Sequence, residues 1–125
     1  MHPNDVSAQI VDAALRVHTR LGPGLLESTY EACLAYELTR RGLNVACQAP
    51  LPVIYDAIRI QAGYRIDMIV ADLVIVELKA VDVIRPIHRA QLLSYLRLSG
   101  KKLGLLLNFN EVRFKDGIIR LFNHL

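Results

Sequence analysis

Residues 74–80, VIVELKA, place two charged side chains inside one of the most apolar segments of the chain. An unbroken run rich in valine and isoleucine predicts a strand that is buried on both faces of a sheet. Because alternate residues of a strand share a face, Glu77 and Lys79 point to the same side and Leu78 points into the core. Glutamate and lysine are almost never fully buried unless they are paired, so this strand needs a partner for its charges.

The preceding apolar segment, YRIDMIV, carries a lone carboxylate, Asp67, and is expected to pair with residues 74–80 as a hairpin. Burying one isolated charge costs several kcal/mol even after relaxation. Two interpretations of the cluster remain open. A divalent cation would relieve the cost, because hard oxygen ligands suit Mg²⁺ or Mn²⁺. Alternatively, Lys79 forms an ion pair with Glu77 or Asp67 at the edge of the sheet.

The metal interpretation also fixes the pairing register of these two strands. Directly opposed residues of an antiparallel pair share a face. If Asp67 opposes Glu77, then Val70 opposes Val74, and residues 71–73 form a connection of odd length or an equivalent bulge. A two-residue connection would move Asp67 to the other face of the sheet, because a slip of one residue inverts every side chain.

Composition and length place the chain among globular proteins. Its 125 residues, 53% hydrophobic and 22% charged, fit a single domain over 1–125 with a substantial core. No apolar run approaches the roughly 20 residues of a membrane span, and the N-terminus lacks the pattern of a signal peptide. The two cysteines, Cys33 and Cys47, form no metal or redox motif and fit a reducing cytoplasm.

The net charge of +3 permits a polyanionic partner such as nucleic acid but does not require one. The apolar composition also suggests that a second copy of the chain covers part of the surface, which would make a homodimer. No membrane partner is expected.

Helical spacing and stop signals predict three helices. The first is capped by Asn4 or Asp5 and ends at Gly22, where Pro23 prevents its continuation. The second runs over residues 25–41 and stops at Gly42, and the third runs over residues 86–99, with a proline in its first turn.

Extended stretches are predicted at residues 44–55, 58–70, 73–80 and 102–109. The segment FKDGII at 114–119 carries an Asp-Gly turn, which is typical of a hairpin between two short strands. The predicted order is α-α-β-β-β-α-β followed by a β-hairpin, and helices flanking a mixed sheet in an α/β domain are its natural packing.

Asp67 and the triplet Glu77-Leu78-Lys79 together resemble the D…(D/E)xK signature of the PD-(D/E)XK nuclease superfamily. The order of elements over residues 25–107 matches the αβββαβ core of that superfamily. The resemblance therefore implies a restriction-endonuclease-like fold, to which this chain adds an N-terminal helix and a C-terminal β-hairpin.

Two further motifs are similar to particular branches of the superfamily. GLLESTY at 24–30 resembles the pattern of the GxxExxY family, a small bacterial and archaeal branch, and QLLSY at 91–95 resembles the QxxxY motif of exonuclease-like members. Additional similarity at 17–24, 34–38 and 104–109 extends the resemblance over nearly the whole chain. Met68-Ile69 departs from the leucine expected after Asp67, but the change is apolar and affects no catalytic group.

The resemblance implies that Asp67 and Glu77 are metal ligands, with the backbone carbonyl of Leu78 as a third oxygen. The cofactor would be Mg²⁺, with Mn²⁺ as a substitute. Lys79 would orient and deprotonate the attacking water and offset charge on the phosphate. Glu27, on the second helix, would reach the metal directly or through a water. Without the resemblance, Glu27 reads as a first-turn glutamate that favours the helix dipole.

The third helix carries the remaining candidates. Gln91 and Tyr95 are four residues apart on one helical face, and the resemblance implies that Gln91 braces Lys79 or contacts the nucleic-acid backbone. Tyr95 either contacts nucleic acid or packs in the core with its hydroxyl satisfied. Arg85, His88 and Arg89 open this helix on the side where a phosphate backbone would approach.

These residues predict a metal-dependent nuclease-like enzyme with a catalytic set of Asp67, Glu77, Lys79, Glu27 and Gln91. Its partner would be nucleic acid, with DNA as the expected substrate and RNA as the alternative, and its reaction phosphodiester hydrolysis. The competing interpretation is a catalytically silent module, for nucleic-acid binding or protein interaction, on the same scaffold.

Overall fold

The computed structural model describes residues 1–124, which fold into three layers around a five-stranded sheet. Helices α1 and α2 cover one face of the sheet, and helix α3 covers the other face. The helices span α1 Pro3–Leu21, α2 Glu27–Arg40 and α3 Pro86–Ser99. No helix within residues 1–124 is long and apolar enough to cross a membrane.

Within residues 1–124, seven strands belong to two sheets. The strands are β1 Val45–Pro50, β2 Val53–Tyr55, β3 Ile58–Ile60, β4 Arg65–Val70, β5 Val74–Lys79, β6 Leu103–Asn108 and β7 Ile118–Phe122. The main sheet has the order β1-β4-β5-β6-β7, in which β5 and β6 pair in parallel and the other neighbours pair antiparallel, while β2 and β3 form a small separate hairpin. The predicted α/β fold with its αβββαβ core is confirmed.

The pairing of β4 with β5 follows the predicted register. Val70 opposes Val74, and the ladder continues to the pair of Met68 and Val76. The connection at 71–73 has odd length, and two of its residues have φ between 54° and 56°. The ladder then stops, so the two strands separate at the position where Asp67 would oppose Glu77.

Strand β5 divides its side chains between two cores. Val76 and Leu78 are fully buried in the cluster between the sheet and α1 and α2. Ile75 is fully buried in the cluster under α3, where it packs with Leu92 and other residues. The prediction that Leu78 points into the core is confirmed.

Two predicted strands are each divided in the structure. The stretch 44–55 becomes β1 and β2, and the stretch 58–70 becomes β3 and β4. The first break lies at Leu51-Pro52, and proline lacks the N–H that a continuing ladder needs. The hairpin of β2 and β3 is therefore an insertion between the first two core strands.

The predicted hairpin turn at 114–119 is wrong. Residues Phe114–Gly117 form a 3₁₀-helix, and β7, which follows it, pairs with β6 instead of with a short preceding strand. The C-terminal hairpin thus consists of β6 and β7. A Cβ at Gly117 would lie 2.5 Å from the carbonyl oxygen of Asn108. The glycine permits this close approach to the end of β6 rather than a tight turn.

The predicted cap of α1 is also wrong. Helix α1 begins at Pro3, and the Nδ1 atom of His2 accepts the N–H of Asn4 at 3.1 Å. Proline is well suited to the first helical position, because no intrahelical partner exists there for an N–H.

Candidate active site

The candidate site lies in the gap that opens where β4 and β5 separate. The Oε2 atom of Glu77 accepts the N–H of Asp67 at 2.7 Å. The Oδ2 atom of Asp67 accepts the N–H of Leu78 at 2.9 Å. The two carboxylates thus replace ladder hydrogen bonds at the point where the ladder ends, which holds them side by side in the gap.

The backbone carbonyl of Leu78 faces the same gap. The N–H and C=O groups of one strand residue point toward the same neighbouring strand. Because the N–H of Leu78 meets Asp67, its carbonyl points the same way. The carbonyl of Lys79 points to the other side, where it accepts the N–H of Phe109 at 2.8 Å.

Burial perturbs the acidity of Glu77, whose residue surface is only 4% exposed. Loss of solvent, followed by the negative charge of Asp67, raises the pKa of Glu77 from 4.5 to about 8. The hydrogen bond from Asp67 and the charge of Lys79 act in the opposite direction. Near neutral pH, Glu77 therefore retains its proton unless a positive charge enters the gap.

Glu27, the first residue of α2, approaches the cluster from the other side of the sheet. Partial burial raises the pKa of Glu27 most strongly, while Lys79 lowers it and Asp67 raises it. A hydrogen bond with the backbone of Ala80, which directly follows Lys79, also lowers it. The structure therefore brings Glu27 to the end of β5, although its role there remains a prediction.

Lys79 is half-buried at the end of β5. The ion pairs in the described part of the chain join Arg16 with Glu37, Arg41 with Asp12 and Lys101 with Asp72. Within residues 1–124, Lys79 forms no ion pair with Glu77 or Asp67. This finding contradicts the interpretation of the cluster as an ion pair and leaves the ammonium group available for another partner.

The structure adds two polar residues that sequence reasoning missed. Gln48, on β1, lies opposite Asp67, and its Nε2 atom donates to Glu31 Oε1 at 2.8 Å and to Asp67 Oδ1 at 3.4 Å. An open cleft of about 450 Å³ borders Glu27, Glu31, Gln48 and Asp67. Glu31 follows Glu27 by four residues, a spacing that places both on one helical face and was a usable signal.

Gln91 and Tyr95 occupy different environments on α3. Gln91 is exposed, and within residues 1–124 it makes no hydrogen bond to Lys79. The structure therefore shows no contact through which Gln91 would hold Lys79 in position. The ring of Tyr95 packs in the core under α3, with the residue 6% exposed. Burial raises the pKa of the Tyr95 hydroxyl, and the charges of Glu77 and Asp67 raise it further. Tyr95 is thus a core residue whose surroundings include the carboxylate pair.

Three basic residues lie at the N-terminus of α3. Arg85 and Arg89 are exposed, whereas His88 is half-buried and its Nδ1 atom accepts the N–H of Arg85 at 2.9 Å. Burial lowers the pKa of His88, and the positive charges of Lys79 and Arg85 lower it further. His88 is therefore a neutral helix cap close to Lys79, and the two arginines supply the exposed charge.

The donors in the gap are chemically suited to a hard divalent cation. Residues 1–124 contain no group of three or more His, Cys, Asp or Glu side chains arranged as a metal site. The gap instead offers two carboxylates and the Leu78 carbonyl. Mg²⁺ retains several waters and takes few protein ligands, so an all-oxygen set of this size fits Mg²⁺ or Mn²⁺.

The comparison with protein families agrees with this geometry. The family model that describes the PD-(D/E)XK nuclease superfamily matches residues 4–121, a span that includes β4, β5, α2, α3 and all of α1 except its first residue. Neither the curated proteins nor the solved structures yielded a significant match. The chain belongs to the PD-(D/E)XK nuclease superfamily.

Proposed function

We propose that this member of the PD-(D/E)XK superfamily hydrolyses phosphodiester bonds in nucleic acid, with DNA as the expected substrate and RNA as the alternative. The observation that carries the proposal is the gap between β4 and β5. Asp67 and Glu77 are held there by backbone hydrogen bonds, and the neighbouring Lys79 has no ion-pair partner among the described residues. A purely structural cluster would be expected to neutralise its lysine with a direct ion pair.

Asp67, Glu77 and the carbonyl of Leu78 would hold Mg²⁺, with Mn²⁺ as a substitute, and Glu27 would assist directly or through a water. When bound, the cation supplies Lewis acidity that stabilises charge developing on the phosphate. Lys79 orients the attacking water, assists its deprotonation and offsets negative charge on the phosphate.

The N-terminus of α3 would receive the nucleic-acid backbone. Arg85 and Arg89 supply exposed positive charge, and the positive end of the helix dipole adds to it. His88 caps the helix and keeps the Arg85 backbone in place. Gln91, which is exposed on the same helix, would contact the substrate beyond the first turn, whereas Tyr95 is 6% exposed and packs in the core.

We further place the chain in the GxxExxY branch, because each motif residue has a structural task. Gly24 has φ 95°, a conformation that other residues rarely adopt. The hydroxyl of Tyr30 donates to the carbonyl of Gly22 at 2.6 Å and accepts the N–H of Leu25 at 3.0 Å. Its ring stacks on Phe109 with centroids 4.6 Å apart. The motif thereby fixes the segment that delivers Glu27 to the site.

We also propose a cytoplasmic location, where the free thiols of Cys33 and Cys47 stay reduced. We also propose that two copies of the chain form a homodimer, as the apolar composition suggests, and light scattering of the purified protein tests this.

A cleavage assay tests the enzymatic proposal. Purified protein is incubated with Mg²⁺ or Mn²⁺ and with end-labelled single-stranded, duplex and branched DNA and RNA. We expect cleavage by the wild type, loss of cleavage in Lys79→Ala, and retention in Lys115→Ala, which removes an exposed lysine on the 3₁₀-helix.

Undiminished cleavage by a folded Lys79→Ala protein would falsify the catalytic role of Lys79. If the wild type binds nucleic acid but cleaves none of these substrates with either cation, the catalytically silent binding module is the correct interpretation.

A further inference from the structure

A second cleft lies between α3 and the hairpin of β2 and β3. It encloses about 350 Å³, within the usual range for small-ligand sites, and its lining is mainly apolar. The lining residues that matter here are Val53 on the hairpin, Tyr64 before β4, and Ile87, Gln91, Ser94 and Tyr95 on α3.

Two tyrosine rings form one side of this cleft. The ring of Tyr64 meets the ring of Tyr95 edge to face, with centroids 6.4 Å apart and planes at 61°. Tyr95 is almost completely buried, whereas Tyr64 is 46% exposed and Ile87 is 68% exposed. The buried ring supports the exposed one, which offers a flat aromatic surface to a ligand.

Polar groups accompany this aromatic surface. The amide of Gln91 and the hydroxyl of Ser94 are both exposed, and neither makes a hydrogen bond to another of the described residues. Residues 87, 91, 94 and 98 recur at intervals of three and four, so they share one face of α3. An apolar cleft with a few convergent donors and acceptors is the usual form of a small-molecule site.

The cleft lies on the same side of the sheet as Glu77. Tyr95 lines the cleft and packs in one cluster with Ile75, and Glu77 follows Ile75 by two residues on β5, so both point to the face under α3. The exposed Arg85, which is the N-cap of α3, and Arg89, near the start of the helix, lie six and two residues before Gln91. A nucleic-acid strand whose phosphates contact Arg85 and Arg89 would place its flat, hydrogen-bonding bases near the cleft.

We propose that this cleft binds an unpaired nucleobase, so that the substrate is single-stranded nucleic acid or an unpaired end. The face of a base stacks on Tyr64, and its polar edge meets Gln91 and Ser94. In an intact duplex both faces of a base are stacked on neighbouring bases, so no face is free to stack on Tyr64. The assignment of this ligand as substrate rests on the proposed nuclease function.

A binding experiment tests the cleft without requiring cleavage. Fluorescence anisotropy of a labelled single strand and of a duplex of equal length is measured with the full chain in EDTA. We expect the wild type to prefer the single strand, because base stacking on an aromatic side chain tolerates any sequence. Tyr64→Ala should weaken single-strand binding by about fivefold or more, and Tyr64→Phe should retain it.

Tyr36→Ala is the matched control, since Tyr36 is an exposed tyrosine on α2, away from the cleft. Ile87→Ser is the second variant of the cleft, in case Tyr64→Ala fails to fold, and it should weaken the same interaction. Equal single-strand affinity for the wild type and for either folded cleft variant overturns the proposal. So does a dimer by light scattering that dissociates in Tyr64→Ala, because a second copy would then occupy the cleft.

The outcomes separate this inference from the nuclease function. Cleavage that depends on Lys79, combined with a preference for duplex over single strand in binding, supports the function and rejects the unpaired base. Binding of the single strand that depends on Tyr64, without any cleavage, supports the base site and rejects the enzyme.

Discussion

Asp67 and Glu77 are linked through the backbone at the point where their strands separate. The N–H of Asp67 donates to Glu77, and the carboxylate of Asp67 in turn accepts the N–H of Leu78. Each of these hydrogen bonds uses one carboxylate oxygen. The second oxygen of Glu77 accepts no hydrogen bond from the described residues. The two side chains can thus satisfy backbone N–H groups where β4 and β5 separate and still present an oxygen atom to a cation.

The raised pKa of Glu77 predicts the pH dependence of stability in EDTA. Below pH 4.5 the carboxyl is protonated in both the folded and the unfolded chain. Between pH 4.5 and about 8 the unfolded chain has released a proton that the folded chain keeps. The free energy of unfolding should therefore fall across this interval, by on the order of 5 kcal/mol from this group, and no further above it.

Urea denaturation across this pH range, with Glu77→Gln beside the wild type, isolates the contribution of Glu77. The glutamine keeps an oxygen that can accept the N–H of Asp67, but it has no proton to release. The variant should match the wild type at low pH and exceed its stability above pH 7. Parallel stability curves for the two proteins would reject the raised pKa.

A second prediction concerns cation binding by the folded chain. A ligand that binds only the folded state stabilises it by about 2.7 kcal/mol at a concentration 100 times its Kd. Millimolar Mg²⁺ or Mn²⁺ should therefore raise the Tm. The rise should be larger at pH 8 than at pH 6, because the cation competes with the proton on Glu77.

Asp67→Asn should abolish the rise while retaining an oxygen that can accept the N–H of Leu78. Asp116→Ala, which removes an exposed carboxylate on the 3₁₀-helix, should leave the rise intact. A wild-type Tm that does not respond to Mn²⁺ at either pH would count against any metal site in the gap.

Part of the site could be predicted from the sequence, and the reason is local geometry. A strand alternates its side chains strictly, so the requirement that Asp67 and Glu77 meet was sufficient to fix the register of β4 and β5. Gln48 could not be found in this way. Its place opposite Asp67 depends on the pairing of β1 with β4, and the intervening hairpin of β2 and β3 obscures that register.

The fold was predictable where apolar periodicity and stop residues agreed. Helix α3 begins at Pro86 and ends before Gly100, as expected. The Asp-Gly pair at 116–117 misled the prediction, because its glycine is required by long-range packing against the Asn108 carbonyl. A glycine needed for close approach and a glycine needed for a turn look the same in a sequence.

A third prediction tests how α3 is positioned over the sheet. A Cβ at Gly104 on β6 would lie 2.8 Å from Cδ1 of Leu92, which is fully buried under α3. Gly104→Ala should therefore overpack this contact and lower the free energy of unfolding by about 1–3 kcal/mol.

The double-mutant cycle with Leu92→Ala provides the control. Leu92→Ala alone should cost about 2–5 kcal/mol by leaving a cavity. In that background Gly104→Ala should cost nearly nothing, because the clashing atoms are gone. Additive losses would show that Gly104 is constrained by something other than Leu92.

The last prediction concerns Gln48, which combines a strained backbone with a contact to the site. Its φ is 53°, a conformation that costs a residue other than glycine about 1 kcal/mol. Its amide bridges Glu31 and Asp67. If the bridge positions the Asp67 carboxylate, Gln48→Gly should keep or slightly raise the Tm, because glycine adopts positive φ freely, while weakening Mn²⁺ binding.

Partners that orient a metal ligand are typically worth 10–100-fold in metal affinity or activity. The Mn²⁺ concentration that gives half of the Tm rise should therefore increase by about tenfold or more in Gln48→Gly. Gln48→Asn should behave in the same way, since asparagine tolerates positive φ but is one carbon shorter. Gln61→Asn shortens an exposed glutamine outside the site and should change nothing. Unchanged Mn²⁺ affinity in Gln48→Gly would mean that Asp67 is held in place by the N–H of Leu78 alone.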